Sequence, residues 1–244
     1  MSNQEGEVIR KIERRKHVRL SKPRIPPLER DDFVKVRVKA SEVLKTAMNK
    51  SEWEKFVEGL IEMTKPLIPF LGGNIEDAPK NLPIIDVDAT IGQYEDLYVR
   101  LNTLKWHTGT FTSLSQRDKE ILILRIGWLC HSKYEWGWHA FSAKAGGHLS
   151  DDEINRIMEG PDAESWDPFD ATLLHAVDEL YKDAFITDQT WNALAERYNT
   201  HQLMDLVFTV GFYNMLAMAL NSFGVQLEEG HKIIAEKLGI PKIN

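Results

Sequence analysis

A single cysteine, Cys130, excludes any internal disulfide. Positive charge is not in excess either: 30 Lys and Arg stand against 37 Asp and Glu, a net charge of −7. That balance argues against nucleic acid as a partner, because phosphates favour basic faces, and leaves small molecules or other proteins. No apolar run of membrane-spanning length and no secretory leader is visible, so the expected setting is the cytoplasm, with no membrane partner. Internal repeats and low-complexity tracts are missing. So is convincing period-two alternation, which leaves an all-α fold class.

What is present begins with a basic stretch. Arg10, Lys11, Arg14, Arg15, Lys16, Arg19, Lys22 and Arg24 outnumber the acids around them, and Pro23, Pro26 and Pro27 block a helix. Residues 1–35 read as an N-terminal arm, solvated or laid along a neighbouring subunit, and residues 36–244 as one helical domain. A helical apolar spacing runs from Ser41 to Met63 with a break near Asn49, and Leu71–Ile91 reads as a long loop. Beyond a helix at Tyr94–Leu104, start signals follow one another. Ser115 precedes an apolar run, Ser150 and Glu153 form a capping box, and Asp167-Pro168 is a cap followed by a first-turn proline. Thr187 or Asp188 caps a short helix, and His201–Phe223 is long, apolar and nearly uncharged, as a buried central helix should be.

The stretch LCHSKYEWGWH, residues 129–139, holds the chemistry. Glu135 and His139 are four apart and share a helix face, where a carboxylate can orient an imidazole and raise its proton affinity. A surface ion pair is the bland alternative, but Tyr134, Trp136 and Trp138 are too many large aromatics for an exposed face, which favours burial. A metal ladder through His131, Glu135 and His139 is the weaker reading, since no second, distant ligand pair accompanies it; no metal is expected. Cys130 next to His131 reads as a small core residue rather than a nucleophile.

The segment SQRDKEILILRIGWLCHSKYEWGWHAFSAKAGGHLSDDEI, with WDPFDATLLHAVDEL, ITDQTW and the long apolar helix downstream, resembles the carboxymuconolactone decarboxylase family. That family shares its all-helical fold with the alkylhydroperoxidase D-like (AhpD-like) proteins. The resemblance covers about residues 95–229. Laying the peroxidase pattern E-x11-C-x2-C-x3-H on its glutamate and histidine gives Glu120, Ser132, Glu135 and His139, so every gap fits while both cysteine slots hold other residues. Tyr134–His139 instead resembles the decarboxylase branch. On one continuous helix Glu120 would lie about 22 Å from Glu135; the resemblance implies a turn near Leu129–Ser132 that folds it back toward His139. A first-turn glutamate favoured by the helix dipole is the other reading of Glu120.

The resemblance implies a homo-oligomer, a trimer or hexamer, and a cofactor-independent lyase acting on a small carboxylated or carbonyl-containing substrate of aromatic catabolism. His139 would be the proton donor, Glu135 its orienting partner, and Glu120 a further catalytic candidate. Tyr134, Trp136, Trp106, His107, Ser132 and Asn214 are candidates for lining the substrate site. An isomerase or hydratase in the same pocket, a thiol peroxidase and a noncatalytic binding protein are the competing readings.

Overall fold

The computed structural model describes residues 20–65, 68, 73–76, 80–237, 239 and 240. Helices carry the chain throughout, and no strand occurs among the described residues. In order they are α1 (Arg30–Thr46), α2 (Lys50–Thr64), α3 (Asp86–Ile91), α4 (Glu95–Trp106), a π-helical turn (His107–Phe111), α5 (Gln116–Leu129) and α6 (Lys133–Ala145). There follow α7 (Asp151–Glu159), α8 (Pro168–Asp183), α9 (Asp188–Ala195), α10 (Thr200–Phe223) and α11 (Glu229–Lys237).

The start signals act as their chemistry dictates. Ser115 accepts from the Asp118 amide, Ser150 and Glu153 exchange both bonds of a capping box, and Asp167 caps α8 with Pro168 in the first turn. Thr187, rather than Asp188, caps α9. The α10 start was legible one residue earlier than His201: Asn199 forms a capping box with Gln202, and Gly224 closes the helix at a φ of 74° that suits glycine.

Two expectations at the N-terminal side change, the start of the first helix and the extent of the long loop. The first helix begins at Arg30, eleven residues earlier than its apolar spacing announces at Ser41, because Phe33, Val36 and Ala40 are buried while the face between them is charged. The arm therefore gives way to helix at Glu29, inside the 1–35 segment. In its described part the Arg24 amide donates to the Phe223 carbonyl at 2.7 Å, and the Leu28 amide to the Ala89 carbonyl at 3.1 Å. Residues 1–19, which hold most of the basic run, lie outside the described residues. Within the expected loop, residues 86–91 form α3.

Helix α5 is the hub. Ile121, Leu122, Ile123, Leu124 and Ile126 have no exposed surface, since α6, α8 and α10 pack around this helix. A helix enclosed on all sides must satisfy its polar residues internally. The Asp118 carboxylate accepts from the Tyr198 hydroxyl at 2.6 Å, Arg125 makes a two-pronged pair with Asp178 at 2.6 and 2.7 Å, and Lys119 donates to the Gly109 carbonyl at 2.6 Å. A smaller cluster of Leu44, Phe56, Leu60 and Leu82 sits beside the main core.

Candidate active site

Between α5 and α6 the chain reverses within three residues. Cys130 ends α5 in helical geometry, His131 adopts the left-handed region at φ 50°, and the Ser132 amide returns to the Gly127 carbonyl at 2.9 Å. Two amides on α10 fasten this turn: Asn214 Oδ1 accepts from Cys130 Sγ at 3.1 Å, and Asn221 Nδ2 donates to the Cys130 carbonyl at 2.9 Å. The reversal sets α6 against α5, where a Cβ on Gly127 would be in ordinary contact with Glu135 Cβ at 3.4 Å.

This hairpin brings Glu120 to His139. Oε2 of Glu120 lies 2.8 Å from Nδ1 of His139, and its Oε1 accepts from the Ser142 hydroxyl at 3.1 Å. Glu135 meets the opposite ring nitrogen, with Oε2 3.5 Å from Nε2. The short bond to the ring thus comes from Glu120 on the other helix, and Glu135, the expected orienting partner, makes the looser contact. The i,i+4 spacing brings Glu135 near but not to bonding distance, whereas the antiparallel neighbour helix aims Glu120 straight at the ring. The Tyr213 ring of α10 stands edge-on to the imidazole, centroids 5.0 Å apart. Glu120 and Glu135 are buried, and 18% of the His139 side chain is exposed, so the imidazole is the member of the group that solvent or a ligand reaches.

Electrostatics separate the two carboxyls. Burial alone would raise the pKa of Glu120, but His139 outweighs it, with Lys119 and Ser142 helping, and Glu120 is held below its usual range. Burial pushes Glu135 up to about 7, with the Glu120 charge adding and His139 and Lys105 only partly offsetting. For His139, burial opposes the imidazolium, yet the two glutamates prevail and its pKa is raised. The charges favour the imidazolium form of His139 and the carboxylate form of Glu120 at Nδ1, with the Glu135 carboxyl on the Nε2 side. Such an arrangement can deliver a proton and take one up at adjacent points.

The other expected site residues separate. Ser132 is fully buried at the start of α6, and its hydroxyl has no hydrogen-bond partner among the described residues. Tyr134 donates to Glu228 at 2.7 Å and lines a cavity of about 150 Å³ with Lys133, Asn221, Gln226 and Lys232. Trp136 is core, packed on Trp128. Trp106 lies edge-on to Phe56 in the smaller cluster, and His107 Nε2 is 2.7 Å from Asp205, so neither has a member of the glutamate–histidine group as partner. Asn214 serves the turn. His131 sits in that turn and not on α6, which breaks the helical ladder a metal site would have used.

Sequence reading missed Lys119, Ser142 and Tyr213. Ser142 was within reach, three residues after His139 on the same helix face, and Lys119 was a lone cation at the start of an apolar run. Nothing in the sequence pointed to Tyr213.

Neither a protein-family model nor a curated protein matches the chain. Solved structures do. The debrominase Bmp8 in its apo form superposes with a TM-score of 0.62 over 90% of this chain and 100% of its own, at 12% identity. A peroxidase-related protein from Silicibacter sp. TM1040 gives 0.56 over 71% and 87%, at 11% identity. ATU0492 from Agrobacterium tumefaciens, a protein of unknown function with a proposed AhpD role in antioxidant defence, gives 0.52 over 56% and 94%, at 16% identity. The chain has the AhpD-like fold. At such identities the likeness is one of architecture, and the AhpD-like scaffold hosts more than one chemistry, Bmp8 having also been solved with 2,3,4-tribromopyrrole.

Proposed function

We propose that this protein is a cofactor-independent acid–base enzyme, a decarboxylase-type lyase acting on a small substrate whose carboxylate sits on the carbon adjacent to a ketone or lactone carbonyl, or is conjugated with it through a double bond. The observation that carries this reading is the His139 imidazole held by Glu120 at Nδ1 and facing Glu135 at Nε2, in a site whose pattern positions for a dithiol hold Ser132 and Glu135. When the carbon–carboxylate bond breaks, its electron pair passes into the substrate's own carbonyl system as an enolate. The Nε2 proton of His139 then goes to carbon, and a proton from water restores the imidazolium. Carbon dioxide leaves and one proton is consumed. The substrate's carbonyl is the electron sink, so the chain supplies position, charge and the proton.

A second reading is a double-bond isomerisation, which the raised pKa of Glu135 favours: a carboxylate of pKa about 7 can remove a proton beside a carbonyl while His139 returns one. A cytoplasmic setting is part of the proposal, and assembly is treated below. The test is a panel of small carboxylated lactones and unsaturated keto acids in D2O, followed for carbon dioxide release and for deuterium at carbon, with wild type and His139→Ala. Release that depends on His139 supports the lyase, and deuterium incorporation without release supports the isomerase. Turnover of an organic hydroperoxide that disappears in Cys130→Ala would overturn both.

A further inference from the structure

Helix α10 has two faces with different duties. One bears Tyr213 and Asn214 toward the site and its turn. Between His201 and Ser222 the exposed positions are 201, 204, 208, 211, 215, 218 and 222, an unbroken alternation of three and four. Met204, Phe208, Met215 and Met218 on this seam are 53%, 54%, 45% and 59% exposed. No charge lies on it apart from what His201 can carry at one end; Asp205, the helix's one acid, turns inward to His107, Ser113 and Thr112. A 3-4 alternation of apolar residues is the pattern by which two helices lock knobs into holes.

The seam is close to palindromic. Met204 and Met218 each lie seven residues from Gly211, and Phe208 and Met215 lie three and four from it. A Cβ on Gly211 would meet nothing within 4 Å, so the middle of the seam is an open notch where a second backbone can approach. We infer that α10 is a two-fold interface with a second copy of this chain, the two helices antiparallel and crossing at Gly211. In that arrangement Met204 faces Met218 of the other copy, Phe208 faces Met215, and the helix dipoles oppose. The four side chains present roughly 400 Å² of apolar surface per copy, the size at which a patch on a monomer is functional. A standard interface buries roughly 800 Å² per partner, so a two-fold contact would draw in side chains beyond these four. The basic stretch at the N-terminus fits poorly as an occupant, because the seam offers no carboxylate to receive it.

Sedimentation equilibrium of the full chain, mass 28.1 kDa, reads the assembly. Wild type should form a dimer or an even-numbered multiple of it, and Phe208→Glu with Met215→Glu should fall to half that size or less with an unchanged far-UV circular dichroism spectrum. In a Cys130→Ser background, Met204→Cys with Met218→Cys should crosslink two chains under mild oxidation, while Met204→Cys alone should not. A monomeric wild type, or an assembly indifferent to the two glutamates, would overturn the inference. A crosslink through Met204→Cys alone would reject the antiparallel register. Binding of monomeric wild type to phosphatidylcholine vesicles, lost in the two-glutamate variant, would assign the seam to a membrane surface instead.

Discussion

Glu120 and His139 stand 19 residues apart in the chain and on different helices, yet a 2.8 Å contact joins the Oε2 of one to the Nδ1 of the other. That contact holds the ring at Nδ1 and leaves Nε2 facing Glu135, the nitrogen to which the proposed reaction assigns the proton transfer. Four expectations follow from this geometry and its surroundings.

Glu120→Gln keeps the shape of the side chain and removes the charge that supports the imidazolium. Turnover should fall by a factor on the order of 10² or more, the scale of a positioned acid–base group. The His139 pKa, followed by NMR of its ring protons, should fall as well, because Glu120 is the larger of the two influences that raise it. An unchanged pKa in a folded, inactive variant would mean that Glu120 acts in some other way.

Glu135 carries a pH signature in stability. Burial raises its pKa in the folded chain to about 7 from the ordinary 4.5, so it favours folding below pH 4.5, and that contribution is lost as pH rises through about 7. Glu135→Gln resembles the protonated form. The variant should match wild type in stability at pH 4.5 and exceed it at pH 8, melting higher there, with a gain in unfolding free energy on the order of 1–3 kcal/mol. Calorimetry at the two pH values checks the sign. Its activity should lose whichever limb near pH 7 belongs to this carboxyl.

Lys119 is a buried cation whose charge opposes the imidazolium and favours ionised Glu120. In Lys119→Met the pKa of His139 should rise, moving the corresponding limb of the pH–rate profile upward. Folding stability should change little, since removing a buried charge offsets the lost bond to the Gly109 carbonyl. A downward move of that limb would show that Lys119 does not act through the field at His139.

Cys130 is tied to Asn214 at the turn rather than placed in the cysteine slots of the peroxidase pattern. Cys130→Ala should retain native turnover and lose about 1 kcal/mol of stability or less, the worth of one modest hydrogen bond. Reduction of organic hydroperoxides should be absent from both proteins. A thiol-dependent activity abolished by the substitution would reverse this assignment.

The sequence by itself determined the helices and the chemical types at the site. Caps such as Ser115, Ser150 and Asp167 are local, each needing only its own next three residues, so they could be read directly. The Glu135 and His139 neighbourhood was legible for the same reason, one helical turn being a local distance. Glu120 could be placed only through a resemblance, because the turn that returns it rests on a left-handed His131 and on Asn214 and Asn221 from a helix more than 80 residues away. The helical start at Arg30 was hidden because its burial depends on partners far along the chain, Arg37 donating to the Leu82 and Pro83 carbonyls. Which carboxylate binds which nitrogen, why one glutamate is acidic and the other is not, and which face of α10 is left bare were decided by packing. Those properties depend on the distances and burial of groups brought together from separate helices, and no local stretch of sequence encodes them.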